Sequence, residues 1–230
     1  MAVQEPVSAM PYDARMVTQR LAVIDFETTG ISPSMGDRAT EVAIVLTEGG
    51  RVVDRFQSLM NAGVYIPSFI TQLTGITNAM VQAAPPAEQV MTDAARFVGN
   101  TPMVAHNASF DRRYWMAELA RAGLAAPQPF ACTVLLSRRL NPEAPSHKLG
   151  ALVDRFQLPR TGAAHRALAD AEMATELLFH MQHKLRTRHG VSNPDHDFLM
   201  ALQRTSKAAV AKRLAAVAEA AETAEGVEPQ

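Results

Sequence analysis

The chain has little cysteine, no long apolar run and no net positive charge, and each shortage excludes a class of function. Cys132 is the single cysteine among 230 residues, which excludes an intramolecular disulfide framework and is typical of the reducing cytoplasm. We expect Cys132 to be a small buried side chain rather than a nucleophile. No apolar run approaches the ~18 residues that a membrane span needs. Residues 1–10 lack the basic and apolar regions of a signal peptide.

The second half of the chain nevertheless offers positive charge locally. The formal net charge is −1, so the bulk electrostatics that drive non-specific nucleic-acid binding are missing. Residues 1–100 carry 6 Lys+Arg against 10 Asp+Glu, whereas residues 101–230 carry 16 against 13. A weakly basic half is usually just a solvated face. Its positive charge suggests a function only if the acidic residues of the chain bind metal ions. The local cations are Arg112, Arg113, Arg138, Arg139, Lys148, Arg155, Arg160 and Arg166.

An apolar segment that runs into two acids organises the chain. Residues 21–30 open as an apolar run rich in β-branched side chains, which predicts a buried strand. Because strand side chains alternate between faces, Asp25 and Glu27 share one face and Phe26 lies on the other. Two such carboxylates repel each other unless a cation lies between them, and oxygen ligands suit magnesium or manganese. The alternative is a strand end at which both acids begin a solvated loop.

The order of the predicted elements indicates an α/β domain with a mixed sheet flanked by helices. Strands at 39–46 and 51–59 are joined through Glu48-Gly49-Gly50, a hairpin signal that predicts antiparallel pairing. Residues 67–84 are interpreted as polar and turn-like, and residues 102–105 as a short buried strand. Helices are predicted at 87–97, 110–122 (capped by Ser109), 130–140, 148–156, 164–186 and 198–221.

Composition divides the chain into three parts. Residues 1–18 contain two prolines and no periodicity, which predicts a loosely packed tail. Residues 19–188 form the main domain. Residues 189–230 comprise a linker, an alanine-rich helix and an acidic end that we expect to be frayed or disordered. The apolar side of that helix either packs back onto its own domain, the alternative favoured here, or docks a partner or a second copy.

Two further segments place acids near predicted helix starts. In His106-Asn107-Ala108-Ser109-Phe110-Asp111 the acid stands where the helix dipole alone would favour negative charge. His165 and Asp170 are five residues apart, about 140° on a helix, so they would not share a helical face. We therefore expect His165 in the loop before the helix and Asp170 inside it. Taken alone, His165 has the alternative role of a capping or surface histidine.

Three segments together resemble the exonuclease motifs of the DEDDh family. They are Asp25-Phe26-Glu27-Thr28-Thr29-Gly30, the segment from His106 to Asp111, and His165-Arg166-Ala167-Leu168-Ala169-Asp170, in the family's order and at its usual separations. Residues 20–181 also resemble the proofreading epsilon subunit of bacterial DNA polymerase III and ribonuclease T, and Leu73-Thr74-Gly75-Ile76-Thr77 strengthens the likeness. The resemblance implies a ribonuclease-H-like fold and a metal-dependent 3′→5′ exonuclease that releases 5′-mononucleotides from single-stranded ends.

The resemblance also implies roles for individual residues. Asp25, Glu27, Asp111 and Asp170 would bind metal, and His165 would be the general base. Two Mg²⁺ or Mn²⁺ ions roughly 3.5–4 Å apart can supply hydroxide and relieve charge on the leaving 3′-oxygen, and histidine accepts protons near neutral pH. His106 is expected to support its motif structurally. The implied substrate contacts are Thr28, Leu73, Thr74, Gly75, Ile76, Asn107 and Phe110, with core packing an equal alternative for Leu73, Ile76 and Phe110.

The sequence leaves substrate and partners open. Single strands of DNA and RNA thread the same type of site, and discrimination depends on contact geometry at the 2′-hydroxyl. Proofreading or repair of DNA is favoured by resemblance alone over RNA 3′-end trimming, with a polymerase subunit or a homodimer as candidate partners. A non-catalytic partner-binding subunit is the alternative of another class. His180, His183, His189 and His196 lack the cysteines or paired acids of a zinc site, so we expect surface histidines.

Overall fold

One mixed sheet of five strands lies at the centre of the molecule. The computed structural model describes residues 19–162 and 165–225, so the tail expected at 1–18 lies outside the described residues. The strands are β1 (Leu21–Thr28), β2 (Ala39–Glu48), β3 (Arg51–Leu59), β4 (Met103–Ala105) and β5 (Phe130–Cys132). Their order is β3-β2-β1-β4-β5, antiparallel among the first three strands and parallel between β1, β4 and β5. The predicted mixed sheet and its hairpin are confirmed.

Helices cover both faces of the sheet. They are α1 (Ser68–Thr74), α2 (Asn78–Gln82), α3 (Ala87–Val98), α4 (Ala108–Arg121), α5 (Thr133–Leu140), α6 (Leu149–Arg155), α7 (Ala167–His189), α8 (His196–Arg204) and α9 (Val210–Glu225), with single 3-10 turns at Pro33–Met35 and Lys207–Ala209. Within the described ranges, no helix is both long and apolar enough to cross a bilayer.

The alternation of strand side chains divides the core into two layers. Leu21 and Val23 of β1 pack with α7, which crosses β1 and β2, whereas Ile24 packs with α3 and α4 on the opposite face. Full burial of each large apolar side chain contributes roughly 1.5–3 kcal/mol. Because every second residue of a strand returns to the same face, Asp25 and Glu27 follow Leu21 and Val23 onto the α7 side.

The interpretation of residues 67–84 as turn-like is wrong, because α1 and α2 lie there. Pro67 precedes α1 and Gly75 ends it with φ 73, while the Thr77 hydroxyl accepts a hydrogen bond from the Met80 N–H at the start of α2. These are ordinary helix start and stop signals. Helices of 7 and 5 residues are nevertheless too short to display a periodic apolar pattern.

Two boundaries next to the sheet also differ from the sequence prediction. The helix expected from 130 is a strand in its first three residues, where β5 pairs with β4 before α5 begins. A strand that runs directly into a helix forms one apolar stretch, and periodicity does not separate the two. Ser109 is not the cap of α4. Asn107 is the N-cap residue with φ 71, and the Ser109 hydroxyl donates to Asn107 Oδ1 at 3.4 Å.

The single helix expected at 198–221 consists of two helices, α8 and α9, which are separated at Thr205. Leu199, Leu202 and Leu214 are buried in the same layer as α7, which confirms that this apolar side packs on the chain's own domain. His196, expected at the surface, is 1% exposed and donates from Nε2 to the Met103 carbonyl at 2.9 Å. Cys132 is buried, as expected.

Candidate active site

Three elements place four carboxylates at one end of the sheet. Asp25 and Glu27 stand near the end of β1, Asp111 in the first turn of α4 and Asp170 in the first turn of α7. The Phe26 N–H donates a hydrogen bond of 3.3 Å to Asp111 Oδ1, which joins the first two motifs directly. The structure thus brings together the four acids that the sequence singled out.

His165 lies beside these acids, exposed, in the loop that precedes α7. Its backbone N–H donates to Asp170 Oδ2 at 3.1 Å. One side-chain ligand atom each from Glu27, His165 and Asp170 lie within 4.8 Å of one another. The φ of His165 is 61, a left-handed conformation that costs a non-glycine residue about 1–3 kcal/mol and persists where neighbouring contacts hold it.

The electrostatics of the site show negative charge that the protein alone does not compensate. Burial, then repulsion from Asp111, Glu27 and Asp170, raises the pKa of Asp25 well above its usual range. Burial followed by repulsion from Asp170 raises the pKa of Glu27 to about 8. Burial raises the pKa of Asp111 to about 8, although the Phe26 N–H partly offsets it, and burial also raises the pKa of Asp170. A bound cation would reverse these shifts because it favours the ionised carboxylates.

Glu41, a fifth carboxylate, lies in register with Glu27 on the neighbouring strand β2 and is 1% exposed. Arg166 donates to both of its oxygens, from Nη2 at 2.8 Å and from Nε at 3.2 Å. The Ala167 N–H and the Gln57 amide donate to it as well, at 3.1 and 2.8 Å. Burial opposes ionisation of Glu41, but these four donors outweigh it and lower its pKa. Glu41 is therefore a charged anchor for the start of α7.

The acids open into a cleft of about 790 Å³, which we call the acidic cleft. Asp25, Glu27 and Asp170 line it, while Asp111 lies behind them at 2% exposure. The α1 side chains of the wall are apolar and unusually open to solvent, since Phe69 is 63% exposed and Leu73 52%. The cleft therefore combines a negatively charged end with an apolar wall.

The predicted substrate residues fall into two groups. Thr28, Leu73, Thr74, Asn107 and Phe110 line the acidic cleft. Phe110 also packs against Tyr114, with ring centroids 5.0 Å apart, so its ring both lines the cleft and packs on the core. The structure does not bring Gly75 or Ile76 to the cleft surface: Gly75 ends α1, and Ile76 is fully buried in a small cluster with Ile66, Ile70 and Val81.

His106 lines the acidic cleft, and two hydrogen bonds fix its ring. Its Nε2 donates to the His147 carbonyl at 3.0 Å, and its Nδ1 lies 2.8 Å from the Thr133 hydroxyl. Burial lowers the pKa of His106 to about 4, so the ring is neutral at pH 7. The ring therefore connects the segment before α4 to the start of α5, as expected of a supporting residue.

Gly30 leaves room for the turn that follows β1. The Tyr114 hydroxyl donates to the Gly30 carbonyl at 2.9 Å. A Cβ at Gly30 would lie 2.4 Å from the Asp37 carboxylate, whose Oδ2 accepts a hydrogen bond from the Ser32 N–H at 2.9 Å. The close approach of the Asp37 carboxylate to Gly30 fixes the rim of the acidic cleft.

Sequence reasoning missed Glu41 and Phe69. Glu41 is the one charged residue in the largely apolar segment 39–46, and only the strand register shows that it lies opposite Glu27. Phe69 stands in the segment that was interpreted as turn-like, so its helix and its exposure were not foreseen. The signal available for Glu41 was an unexplained charge in a buried strand.

Comparison with known proteins identifies the domain. The model of the RNase T-type exonuclease family matches residues 22–178. The 3′-5′ exonuclease DinG of Bacillus subtilis is 40% identical over 172 residues, which is 74% of this chain and 18% of that protein. A PolC-type DNA polymerase III of Caldanaerobacter subterraneus is 35% identical over 164 residues, 71% of this chain and 12% of that protein. The chain thus spans less than a fifth of the length of these relatives.

Solved structures agree with this match and with the ribonuclease-H-like fold that the motifs imply. Exonuclease X in complex with 5′-overhanging duplex DNA is 30% identical, with a TM-score of 0.59 over 71% of this chain and 92% of that one. The nuclease domain of 3′hExo, a DEDDh family member bound to rAMP, has a TM-score of 0.62 at 19% identity, over 73% of this chain and 93% of that one, and shows the fold alone. The chain therefore belongs to the RNase T-type exonuclease family, the DEDDh exonucleases.

Proposed function

We propose that this chain is a metal-dependent 3′→5′ exonuclease that hydrolyses phosphodiester bonds at single-stranded 3′ ends and releases 5′-mononucleotides. The observation that carries the proposal is the convergence of Asp25, Glu27, Asp111 and Asp170 beside His165 at the charged end of an open cleft. Phosphodiester hydrolysis needs a proton acceptor and cations that compensate the negative charge at the reacting phosphate. The imidazole of His165 can accept the proton, and the four carboxylates can hold the cations.

The donor set fits divalent cations. Exonucleases of this family use divalent metal ions. The raised pKa values of Asp25, Glu27, Asp111 and Asp170 favour a cation at these carboxylates, since Arg166, the nearby positive charge, is paired with Glu41. Two Mg²⁺ or Mn²⁺ ions held by these four carboxylates would lower the pKa of a water molecule and stabilise the charge that develops on the leaving oxygen.

His165 moves the proton. An imidazole nitrogen accepts the proton of the attacking water while a bond forms between the water oxygen and phosphorus and the bond from phosphorus to the 3′-oxygen breaks. The 3′-oxygen takes a proton from solvent, so the products are a 5′-mononucleotide and a strand with a new 3′-hydroxyl. General-base catalysis of this kind contributes typically ~10²–10⁴-fold. The Asp170 carboxylate positions the base because it accepts the His165 backbone N–H.

The wall of the acidic cleft holds the terminal nucleotide. Phe69 and Leu73 present exposed apolar surface on which a nucleobase packs, and stacking on an aromatic ring is worth ~1–3 kcal/mol per base. Thr28 and Asn107 supply polar groups at the same cleft, and Phe110 adds an aromatic ring to its lining. Gly75 and Ile76 act indirectly, because they shape and support α1 from below.

DNA is the favoured substrate, in proofreading or repair. The relatives that are at least 30% identical include PolC-type DNA polymerase III and an exonuclease bound to DNA, whereas the structure named for histone mRNA recognition is 17% identical. The PolC relatives also support a polymerase as a candidate partner. Trimming of RNA 3′ ends is the second candidate, since single strands of DNA and RNA thread the same type of site and differ at the 2′-hydroxyl.

A product analysis tests this function. Single-stranded DNA and RNA 20-mers of matched sequence, labelled at the 5′ end, are incubated with the full chain and Mg²⁺ or Mn²⁺, with EDTA as the control. The proposal expects a ladder that shortens from the 3′ end, free 5′-mononucleotides and faster initial rates on DNA. Faster rates on RNA would instead support 3′-end trimming. If neither metal gave any product, the exonuclease proposal would fail and the chain would be a non-catalytic binding subunit.

A further inference from the structure

A second cleft of about 630 Å³ lies between the ends of α5 and α7 and the first half of α9, and we call it the basic cleft. Its charged lining consists of Arg139, Arg188, His189 and Lys207, and among the residues that the structure describes neither Asp nor Glu lines it. Asp170 and Arg188 lie near opposite ends of α7, about 27 Å apart along the helix axis. The basic cleft is therefore remote from the four acids of the acidic cleft.

The cations of the basic cleft lack anionic partners. Arg188 and Lys207 are exposed, and in the described part of the chain no ion pair includes either of them. His189 Nε2 is buried and makes no hydrogen bond to any described residue. Arg139 donates to the Thr205 carbonyl and so fixes one wall of the cleft. Positive charge without a counter-charge, beside an unused buried nitrogen atom, suits an acidic occupant.

The charges along α9 stand in the order that its own helix dipole disfavours. Residues 207–218 contain three Lys or Arg and no acid, whereas residues 219–228 contain four Glu and no Lys or Arg. The first turn of α9 accordingly holds no acidic residue and its last turn no basic one. Helix dipoles favour the reverse arrangement, with acids at the N-terminus and bases at the C-terminus. A second α9 that ran antiparallel to the first would oppose its dipole and would bring each half against a half of opposite charge.

The acidic segment 219–228 cannot enter the basic cleft of its own chain. α9 approaches the end of α7 closely at Ala218, since a Cβ at Gly190 would lie 3.1 Å from the Ala218 Cβ. From Ala218 the helix continues to Glu225, a further distance of about 10 Å along its axis. A helix does not turn back on itself, so α9 leads the acidic segment away from the cleft that its first half lines. An occupant of this sequence must therefore come from another molecule.

We propose that the basic cleft binds the acidic segment 219–228 of a second copy of this chain, with the two α9 helices antiparallel about a two-fold axis. The proposal goes beyond the exonuclease function and does not depend on it. An axis near Ala218 would set Ala211, four residues after Lys207, opposite Glu225 of the second copy. Because the two-fold axis repeats every contact, each copy both donates an acidic segment and accepts one.

The lining of the basic cleft favours a peptide segment over a nucleic-acid strand. Its uncharged residues are Leu, Val, Ala, Pro and Gly, and no described Phe, Tyr or Trp lines it. Sites for single-stranded nucleic acid combine a positive groove with aromatic side chains on which the bases stack. The alanine-rich sequence around the glutamates of segment 219–228 instead offers small aliphatic side chains that can approach an aliphatic lining closely.

A charge exchange between two variants tests the proposal. Sedimentation velocity of the full chain in EDTA is recorded over a range of protein concentrations. The wild type is expected to shift towards twice the mass of one chain at low salt, and to return towards one chain in about 1 M salt, where the Debye length is about 3 Å. Glu222→Lys combined with Glu225→Lys, and Arg188→Glu combined with Lys207→Glu, should each raise the dimer Kd at least about tenfold. An equimolar mixture of the two variants should recover the wild-type Kd, because both contacts of the mixed dimer are then complementary.

Arg96→Glu combined with Arg112→Glu is the matched control. Both residues are exposed on α3 and α4, which pack on the opposite face of the sheet, so the same change in net charge should leave the dimer Kd unchanged. An equal loss of dimer in this control would overturn the proposal. Glu222→Gln combined with Glu225→Gln keeps the shape of the side chains and should also weaken the dimer, which covers the case that a charge-reversed variant has a lower Tm.

Three results would contradict the second copy as the occupant. They are a wild type that keeps the mass of one chain at every concentration, dimers that persist in both charge-reversed variants, and a mixture of folded variants that does not recover. In the first case, labelled oligoglutamate and oligothymidylate identify the alternative. Binding to wild type but not to Arg188→Glu combined with Lys207→Glu would assign the basic cleft to another acidic protein or to nucleic acid, respectively.

Discussion

Arg166 and Glu41 form a two-point ion pair immediately beside the left-handed residue His165. The guanidinium of Arg166 donates to both carboxylate oxygens of Glu41, at 2.8 and 3.2 Å, and the Ala167 N–H donates to the same carboxylate at 3.1 Å. The segment on the C-terminal side of His165 is thereby fixed to β2, while the His165 N–H is held by Asp170 at 3.1 Å. These contacts stabilise the left-handed conformation of His165, whose φ is 61, so we propose that Glu41 positions the proposed general base.

Glu41→Gln is expected to lower kcat far more than it changes KM. The amide keeps the size of the side chain but loses the charge and the paired acceptors, so the loop before α7 relaxes. Misplacement of a catalytic group by about 1 Å can cost about 10²-fold, and we expect a loss of that order. Steady-state kinetics on a single-stranded 20-mer measure it, and hydrogen exchange should show faster exchange confined to residues near the Ala167 amide.

Glu48→Gln is the control for this effect. Glu48 ends the same strand and pairs with Arg20, but both partners are about half exposed, at 47% and 54%. An exposed pair is worth about 0–1 kcal/mol, so kcat and exchange should match wild type. Equal behaviour of the two variants would show that Glu41 does not position His165.

The metal-free protein should lose stability as pH rises from about 6.5 to 8, above the range in which His106 and the other histidines of lowered pKa make stability rise with pH. Burial raises the pKa values of Glu27 and Asp111 to about 8, so the folded state binds more protons than the unfolded state between the unfolded and folded pKa values. Stability then falls with rising pH across that window. Thermal unfolding in EDTA measures this dependence. Addition of Mg²⁺ or Mn²⁺ at pH 8 should recover the lost Tm, and a Tm in EDTA that rises between pH 6.5 and 8 would count against the shifts.

Asp25→Asn should raise the Tm of the metal-free protein at pH 8. Repulsion from Asp111, Glu27 and Asp170 contributes to the raised pKa of Asp25, and a neutral amide of the same shape removes it. The gain should shrink at pH 5, where Glu27 and Asp111, whose pKa values are raised to about 8, are protonated. Differential scanning calorimetry in EDTA at both pH values measures the difference. A loss of the cooperative transition would mean that Asp25 is required for folding.

Gly30→Ala should destabilise the turn at the rim of the acidic cleft. Its Cβ would lie 2.4 Å from the Asp37 carboxylate, and overpacking of this kind costs about 1–3 kcal/mol. Gly150→Ala is the matched control, since Gly150 lies in α6. A Cβ at Gly150 would lie 3.8 Å from Arg160 Nη2, which is an ordinary van der Waals contact. Alanine is favoured over glycine in a helix by roughly 0.5–1 kcal/mol, so this control should be stabilised in urea unfolding. If Gly30→Ala left the free energy of unfolding unchanged, the Asp37 carboxylate would be free to move away from the new methyl group.

The sequence alone predicted the mixed sheet and the meeting of the four acids, because strand alternation and ordered motifs are local patterns. Asp25 and Glu27 share a face by alternation, and the loop position of His165 followed from the five-residue spacing to Asp170. The role of Glu41 was not predicted, because its partner Arg166 is 125 residues away and no local sequence pattern links the two residues.

Short elements were the other source of error. α1, α2 and β5 contain 7, 5 and 3 residues, fewer than one or two periods of the patterns that identify helices and strands. The exposed Phe69 was therefore hidden in a segment interpreted as turn-like. The break between α8 and α9 was missed because the apolar residues Leu199 and Leu202 before Thr205 and Val210 and Leu214 after it continue one helical periodicity.

The most direct test of the four-acid site compares mononucleotide release by wild type and Asp25→Asn from a single-stranded DNA 20-mer in saturating Mg²⁺. The side chain of Asp25 lies among Glu27, Asp111 and Asp170, so its carboxylate should be indispensable for cation binding and turnover. We predict progressive release from the 3′ end by wild type and a loss of at least about 10³-fold in kcat in the variant, with cooperative folding retained. Wild-type turnover in a folded Asp25→Asn protein would contradict the account.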